Sequence, residues 1–303
     1  MRFTIIGAGG VGGCFGAALV QAGHDVTLVA RGAHLDAIRR DGLTIRSPGR
    51  TDVVRVAATD RTAELPPSDL AVVAVKSYSL ADAIPVARAV AESGATVLPL
   101  LNGVTAAEEL IAGGLPRERV LGGIARVSAA RVAPGVVERR SDFQSMVVGE
   151  LGGGLSDRAT VIADAFRGAR VDARASEIID VELWQKFVFI TAMAAVCGMA
   201  RAPIGSVRDA PGGRRLIERA VAEVVAVARA RGVALPADEA ERTCAYIGTL
   251  PAAMKPSFLV DLESGGPTEL HTLSGAVARF AAETGLECPV HETATTTISV
   301  RRA

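Results

Sequence analysis

The 303-residue sequence predicts an α/β protein: an N-terminal doubly wound sheet followed by a C-terminal all-helical domain. Three observations predict it. The first half alternates short apolar runs with helix-like stretches. A glycine-rich turn, "GAGGVG", directly follows the first apolar run. From about Glu177 onward the pattern is nearly all helical. The expected domains are 1–174 and 175–303, with the boundary near 170–178.

The elements follow in order. "RFTIIGAG" is a buried strand, "GGCFGAALVQAG" a small-residue helix and "HDVTLVARG" a second strand. "GAHLDAIRRDG" is a short helix with Gly42 as its stop. "DLAVVAVK" and "TVLPLLNGV" are a third and a fourth strand, and "AAEELIAGG" is a helix. Residues 119–150 give several further strands, some of them antiparallel. Past "DRATVIADAFRGARVDARAS" the helices begin. In "RRLIERAVAEVVAVARARG" the apolar residues fall at 216, 217, 220, 221, 224, 225 and 228, one stripe of an amphipathic helix that Gly232 ends. "LESGGP" is a loop, and "TELHTLSGAVARFAAETG" is expected to be one further helix. There is no internal repeat and no low-complexity tract.

Composition narrows the classes. With 49% hydrophobic and 22% charged residues the chain can bury a full core. Its formal net charge of zero gives no sign of a nucleic-acid or membrane-surface binder. Met1-Arg2 leads straight into the first strand, so no signal peptide is expected. No run of about 18 uncharged apolar residues is found, so no membrane span is expected. Cys14, Cys197, Cys244 and Cys288 lie far apart and form no CxxC, and the four histidines are scattered. The expectation is reduced thiols, a cytoplasmic protein and no metal.

"GAGGVG" places Gly7, Gly9 and Gly12 in G-x-G-x-x-G spacing, with Ala8, Gly10 and Val11 between them. The first glycine makes a tight turn, the second lets backbone approach a pyrophosphate, and the third lets helix and strand pack closely. Alone the motif is weak. Here it follows a strand and opens a helix, the context of a Rossmann-type dinucleotide site. The second strand ends in "LVARG", with Arg31 where a carboxylate would hydrogen-bond the ribose of NAD. An arginine pairs instead with a 2′-phosphate, which favours NADP. An arginine simply solvated in a loop is the bland alternative.

Of 33 basic residues only three are lysines: Lys76, Lys186 and Lys255. Arginine serves wherever a generic positive charge will do. A remaining lysine hints at a need for an ammonium, which can be desolvated and can give up a proton. Lys186 stands at the head of "VELWQKFVFITAMAAVCGMA", an otherwise apolar helix.

These residues resemble the ketopantoate reductase (2-dehydropantoate 2-reductase) family over essentially the whole chain. The likeness rests on "GAGGVGG", Arg31 in "VARG", Lys76 in "AVKSY", Asn102 in "LLNGV", Lys186 in "LWQKF", "PIG" at 203–205 and "KPSFLVDLESGGPTEL" at 255–270. It implies a two-domain, NADPH-dependent reductase of a 2-oxo acid on the way to coenzyme A. It further implies that Lys186 is the catalytic lysine and that Asn102 helps bind substrate and cofactor. Ser257 would bind the substrate carboxylate, Glu269 its hydroxyl side, and Lys76 would lie beside the cofactor. The sequence departs from the family four and eight residues past the lysine. Asparagines are usual there, and Ile190 and Ala194 stand in their place. A helix puts those positions on one stripe with Lys186.

Reduction of a 2-oxo acid needs a hydride from the cofactor, a proton for the developing alkoxide, and a grip on the carboxylate. Lys186 suits the second need, an apolar helix face bringing its pKa down toward balance. A lysine snorkelling at the rim of a core helix fits the same pattern. Ser257 suits the third, although serines near helix starts are commonly caps. Asn102 follows the fourth strand at the ligand-binding edge of such sheets, although Asn-Gly is also ordinary turn chemistry. Glu269 could bind a substrate hydroxyl, hold Lys186 charged, or favour a helix first turn. His271 reads as structural, Lys255 as a surface charge, and Trp184 as core or domain-interface packing. Thr191 or an ordered water could supply hydrogen bonds in place of the missing asparagines.

Three functions remain open from sequence. One is an NADPH-dependent reductase of ketopantoate or of a less polar 2-oxo acid. The second is a β-hydroxyacid dehydrogenase, against which the Ser257–Glu269 segment weighs. The third is a non-catalytic NADP-binding sensor. The expected partner is a small-molecule 2-oxo acid, with no nucleic acid and no membrane. A homodimer stays open.

Overall fold

The structure is a computed structural model that describes residues 1–300. The chain forms two compact units. The first takes residues 1–101 and 105–179, and the second takes 102–104 and the chain from Asp180 onward.

The first unit begins β1 (Arg2–Ile6), α1 (Gly10–Gln21), β2 (Asp25–Val29), α2 (Gly32–Asp41), β3 (Leu43–Ser47), β4 (Arg50–Val54) and β5 (Ala57–Thr59). It continues with β6 (Leu70–Val73), α3 (Leu80–Glu92), β7 (Thr96–Pro99), α4 (Ala106–Ala112) and β8 (Leu121–Arg126). It closes with β9 (Ala129–Ala133), β10 (Val136–Arg139), β11 (Ser145–Glu150), α5 (Asp157–Gly168) and β12 (Asp172–Ser176).

Five strands form one parallel sheet in the order β5-β2-β1-β6-β7. Parallel strands need crossovers, and the crossovers bury both faces. The residues show this directly. Phe3, Ile5, Leu28, Leu70, Val72 and Leu98 pack into one core with Phe15, Leu19, Ile162 and Phe166 of α1 and α5. Their neighbours Ile6, Val29, Ala71, Val73 and Val97 pack into a second core with Leu80, Val86, Val90 and Leu110 of α3 and α4. The period of two along each strand divides the side chains between the faces. The chain leaves β1 towards β2 and later returns to β6 on the other side. The end of β1 is therefore the topological switch point, where such sheets hold ligands.

Two smaller sheets complete this unit, in the orders β4-β3-β10-β9 and β12-β11-β8. Strands β8 and β11 pair antiparallel, as do β9 and β10, in line with the mixed sheet expected there. Strands β3 to β5 and helices α3 and α5 are elements that the sequence reading leaves unassigned. Helix α2 ends as expected at Gly42, whose φ of 88° is the conformation glycine adopts without strain.

The second unit is helical: α6 (Ile179–Ala200), α7 (Ile204–Asp209), α8 (Gly213–Ala230), α9 (Glu239–Thr249), α10 (Ser257–Glu263), α11 (Ser274–Thr284) and α12 (Pro289–Val300). The stripe on α8 is buried as expected at Ile217, Ala220, Val221, Val224, Val225 and Ala228. One expectation fails. Residues 268–285 do not form a single helix: a short 3-10 turn (Leu270–Thr272) precedes α11, and Leu273 between them has the non-helical φ, ψ of -106° and -102°. Glu269 thus lies before a turn and not in the first turn of a long helix.

Beyond Lys186, helix α6 is apolar or small on all sides because it is the core helix of this unit. Phe187, Val188 and residues 192–197 are buried against α8 to α12. By length and composition α6 is long and apolar enough to cross a membrane, although Lys186 interrupts its uncharged run. Burial of most of it within the helical core accounts for that composition. Trp184 packs edge-on to Phe187 at 5.3 Å and tilted against Phe280 at 5.9 Å, so it is a core residue of this unit. Gln185 donates to the buried Glu239, tying α6 to α9.

Candidate active site

In the first unit the loop between β1 and α1 has the shape a dinucleotide requires. Gly7 has φ of 102°, so the chain turns sharply out of the strand. A Cβ at Gly12 would collide with the Gly7 carbonyl oxygen, so the first turn of α1 lies hard against the strand end. At Gly9 the opposite holds: a Cβ would meet no protein atom within 4 Å. Backbone there faces open space at the start of a twelve-residue helix, where N–H groups lack internal partners. The cradle formed by Gly7, Ala8, Gly9, Gly10, Val11 and Gly12 thus fits a pyrophosphate.

Arg31 follows β2 and is the N-cap residue of α2. It is exposed, and its Nη1 donates to Asp82 Oδ2 at 3.2 Å. Lys76, half-buried, stands just past β6 and caps a short 3-10 turn.

The helical unit brings three of the sequence-derived residues together. Lys186 Nζ donates to Asn102 Oδ1 at 3.1 Å. Asn102 Nδ2 donates to Glu269 Oε2 at 3.0 Å. Lys186 and Asn102 are half-buried, and Glu269 is only 3% exposed. The amide orientation follows from chemistry. An ammonium can only donate and a carboxylate can only accept, so the amide oxygen must face Lys186 and the amide nitrogen Glu269. Asn102 therefore bridges the Lys186 ammonium and the buried Glu269 side chain.

The remaining residues fall outside this hydrogen-bonded trio. Ser257 is exposed as the first residue of α10. Ile190 is half-buried and Ala194 only 2% exposed, one and two turns after Lys186 on the unbroken α6. Thr191 is fully buried and its hydroxyl has no hydrogen-bond partner. His271 is exposed on the 3-10 turn, and Lys255 pairs with Glu263 at 2.8 Å on the surface.

Burial pushes the thiols of Cys14 and Cys288 up to about 11 and that of Cys197 to about 12. None is a thiolate near neutral pH, so none of the three is primed as a nucleophile. Among the described residues no three His, Cys, Asp or Glu side chains gather to hold a metal ion.

Sequence reasoning names Asn102 and Glu269 separately but not their bond, which spans 167 residues. No spacing rule reaches that far.

The family profile "Ketopantoate reductase PanE/ApbA" matches residues 3–153, and "Ketopantoate reductase PanE/ApbA C terminal" matches residues 179–302. A 2-dehydropantoate 2-reductase of Halobacterium salinarum is 33% identical over 297 residues, covering 97% of this chain and 96% of that one. An uncharacterized oxidoreductase of Bacillus subtilis, YkpB, is 31% identical over 295 residues, with the same coverage. Among solved structures, a PanE/ApbA family ketopantoate reductase from Ralstonia eutropha superposes with a TM-score of 0.89 at 28% identity, covering 100% of this chain and 98% of that one. D-mandelate dehydrogenase, solved with NADH and anilino(oxo)acetate, reaches 0.90 at 22% identity over the same shares, a likeness of fold. Both halves of the sequence and the fold agree, and the chain belongs to the ketopantoate reductase family of NADPH-dependent oxidoreductases.

Proposed function

We propose that the chain reduces a 2-oxo acid to a 2-hydroxy acid with NADPH, and that Lys186 is its catalytic residue. The observation that carries this reading is the Lys186–Asn102–Glu269 trio. Lys186 is the one basic residue of α6, whose sequence is apolar or small for most of the helix beyond it. The Lys186 ammonium donates to the Asn102 side-chain oxygen, a defined contact that a lysine snorkelling freely into water would not require.

The bound nicotinamide supplies the hydride. Gly7 to Gly12 hold the pyrophosphate by backbone N–H groups at the start of α1, and Lys76 and Asn102 complete the cofactor contacts. Arg31 turns from Asp82 to the 2′-phosphate; an exposed bridge is worth about 0–1 kcal/mol, so the exchange costs little. Lys186 Nζ stabilises the alkoxide oxygen as charge develops and then passes it a proton. Asn102 keeps that ammonium aimed, and the buried Glu269 holds Asn102. Glu269 also accepts from a hydroxyl on the substrate, and Ser257 donates to its carboxylate. In domain terms, 1–174 binds the cofactor and 175–303 carries the substrate residues. The reading further places the protein in the cytoplasm, in coenzyme A biosynthesis if ketopantoate is its substrate, and leaves a homodimer open.

A second reading concerns the substrate alone. Ile190 and Ala194 occupy the α6 stripe beyond Lys186. Fully buried Thr191 cannot present its hydroxyl to a ligand in their stead. An apolar stripe favours a less polar 2-oxo acid over ketopantoate. Following NADPH oxidation with a panel of 2-oxo acids tests both readings. Oxidation with ketopantoate supports the family's usual activity, and oxidation only with apolar 2-oxo acids supports the second. Turnover of 3-hydroxy acids alone would favour a β-hydroxyacid dehydrogenase. Tight NADPH binding without turnover would leave a sensor.

A further inference from the structure

We infer that His34 is a positioning residue for the cofactor loop: its imidazole anchors the Ala8 carbonyl and so aims the Gly9 N–H at the pyrophosphate. The inference rests on reading Gly7 to Gly12 as the pyrophosphate cradle.

His34 is on α2 and 5% exposed. Its Nε2 lies 2.8 Å from the Ala8 carbonyl oxygen, and the backbone N–H of Gly135 donates to its Nδ1 at 2.8 Å. The two bonds fix the tautomer. Nδ1 receives a proton donor and must be bare, so Nε2 carries the hydrogen and donates to Ala8. Burial, the largest influence on this ring, holds its pKa below the ordinary histidine range, so the ring is neutral as the two bonds require.

A trans peptide sets its C=O and the following N–H in opposite directions. The chain has no cis peptide bond among the described residues. Pulling the Ala8 carbonyl onto His34 therefore turns the Gly9 N–H the other way, at the residue whose surroundings are open. Left free, that peptide could rotate and present its oxygen to an anion. Phosphate would then meet a carbonyl in place of a donor.

The other end of the tether is itself fixed. Gly135 forms the turn between β9 and β10, and its carbonyl accepts from the Thr44 N–H at 2.8 Å. The β9–β10 hairpin lies directly over the start of α1. A Cβ at Gly10 would collide with the Ala129 carbonyl, and one at Gly13 would stand 2.9 Å from Val137 Cγ2. His34 thus joins the cofactor loop to a rigid hairpin through two backbone groups.

The test uses the full-length protein. NADPH affinity is measured by fluorescence titration for wild type, His34→Leu and His34→Gln, with the melting temperature of each cofactor-free protein as a check on folding. Leucine fills space without a hydrogen bond. Glutamine carries a donor and an acceptor at about the spacing of the two ring nitrogens. The expected result is a roughly tenfold or larger rise in Kd for His34→Leu, about one net hydrogen bond's worth, largely recovered in His34→Gln. A folded His34→Leu protein that binds NADPH within about twofold of wild type overturns the inference. So does a folded His34→Gln as weak as His34→Leu, which would mean that packing and not the anchored carbonyl matters. Nitrogen NMR on the wild type decides independently of any variant: the ring must be the Nε2–H tautomer, and NADPH must shift the Gly9 amide. An Nδ1–H ring or an unmoved Gly9 amide overturns it. A wild type that binds no NADPH overturns the cofactor reading itself, and this inference with it.

Discussion

The ammonium of Lys186 rests 3.1 Å from the side-chain oxygen of Asn102, a residue 84 positions earlier in the chain. The bond matters because the far side of the same amide is committed to Glu269. With a donor-only and an acceptor-only neighbour, the amide has a single stable orientation. The amide oxygen thereby gives the Lys186 ammonium a fixed, neutral acceptor that helps to aim it.

Loss of that ammonium should strike turnover and spare cofactor binding. Lys186→Ala is expected to lower kcat by about 10²–10⁴, the range for removing a general acid. Lys186→Arg should also be poor, because guanidinium holds its proton too tightly. Stopped-flow turnover beside NADPH titration separates the two effects. Near-normal kcat in Lys186→Ala would show that the lysine merely reaches for solvent.

Arg31 should decide between the two nicotinamide cofactors. Its present partner, Asp82, is exposed like Arg31 itself, so the bridge is easily exchanged. Arg31→Ala should remove a charge-assisted phosphate contact of about 1.5–3 kcal/mol, or roughly 10- to 150-fold in NADPH affinity. NADH affinity should not change. Asp82→Ala should leave NADPH binding as it is or tighten it slightly. Comparable use of NADH and NADPH by the wild type would refute the role given to Arg31.

Much of the fold was legible because its signals are local. Gly7, Gly9 and Gly12 stand within six residues, and the buried strands read as apolar runs. Strands β3 and β4, "LTIRS" and "RTDVV", were not legible. Only some of their residues are buried, and β3 pairs with β10 some ninety residues later. The break at Leu273 is marked only by the Ser274-Gly275 pair after it, a turn signal that the apolar period running through it outweighs. The site divides the same way. Lys186 stands out as a charge in an apolar helix. Glu269 shows its burial, and its bond to Asn102, only once the chain is folded. His34 was illegible because its partners are two backbone groups, which have no sequence identity.

Stability should fall on mild acidification, and His291 is the reason. It is fully buried on α12, its Nε2–H donates to the Ala220 carbonyl at 2.9 Å, and burial holds its pKa down to about 4. An unfolded histidine titrates near ~6.5. The unfolded chain therefore binds the proton first. The stabilisation is complete above ~6.5 and is lost as pH falls from there through about 4, for a total of about 3 kcal/mol. Glu223, which accepts the Val290 and His291 N–H groups, opposes this in part: burial raises its pKa, so the native state takes up its proton first. Urea unfolding of wild type and His291→Gln between about pH 7.5 and 4.5 measures the difference. Wild type should lose about 2–3 kcal/mol more than the variant. Equal slopes would remove His291 from the account.

The substrate prediction rests on the α6 stripe. Ketopantoate carries a carboxylate, a ketone and a terminal hydroxyl. A site without amides to meet these groups leaves some of them desolvated and unpaired, at about 1–3 kcal/mol each. Ile190 offers no hydrogen bond and Ala194 is 2% exposed, while the hydroxyl of Thr191 is sealed in the core. Two such losses cost about 10²–10⁴ in kcat/KM against a fully furnished site. Ile190 would instead pack against an apolar branch near C3 of the substrate. Ketopantoate should therefore be reduced slowly, and a branched aliphatic or other bulky 2-oxo acid should be as good or better. Ile190→Asn combined with Ala194→Asn should shift the ratio towards ketopantoate. An ordered water over Ala194 could close part of the gap, and steady-state kinetics on both substrates would reveal it. A wild-type kcat/KM for ketopantoate near ~10⁵ M⁻¹s⁻¹, an ordinary enzyme value, would sink the argument from Ile190 and leave the family's usual activity in place.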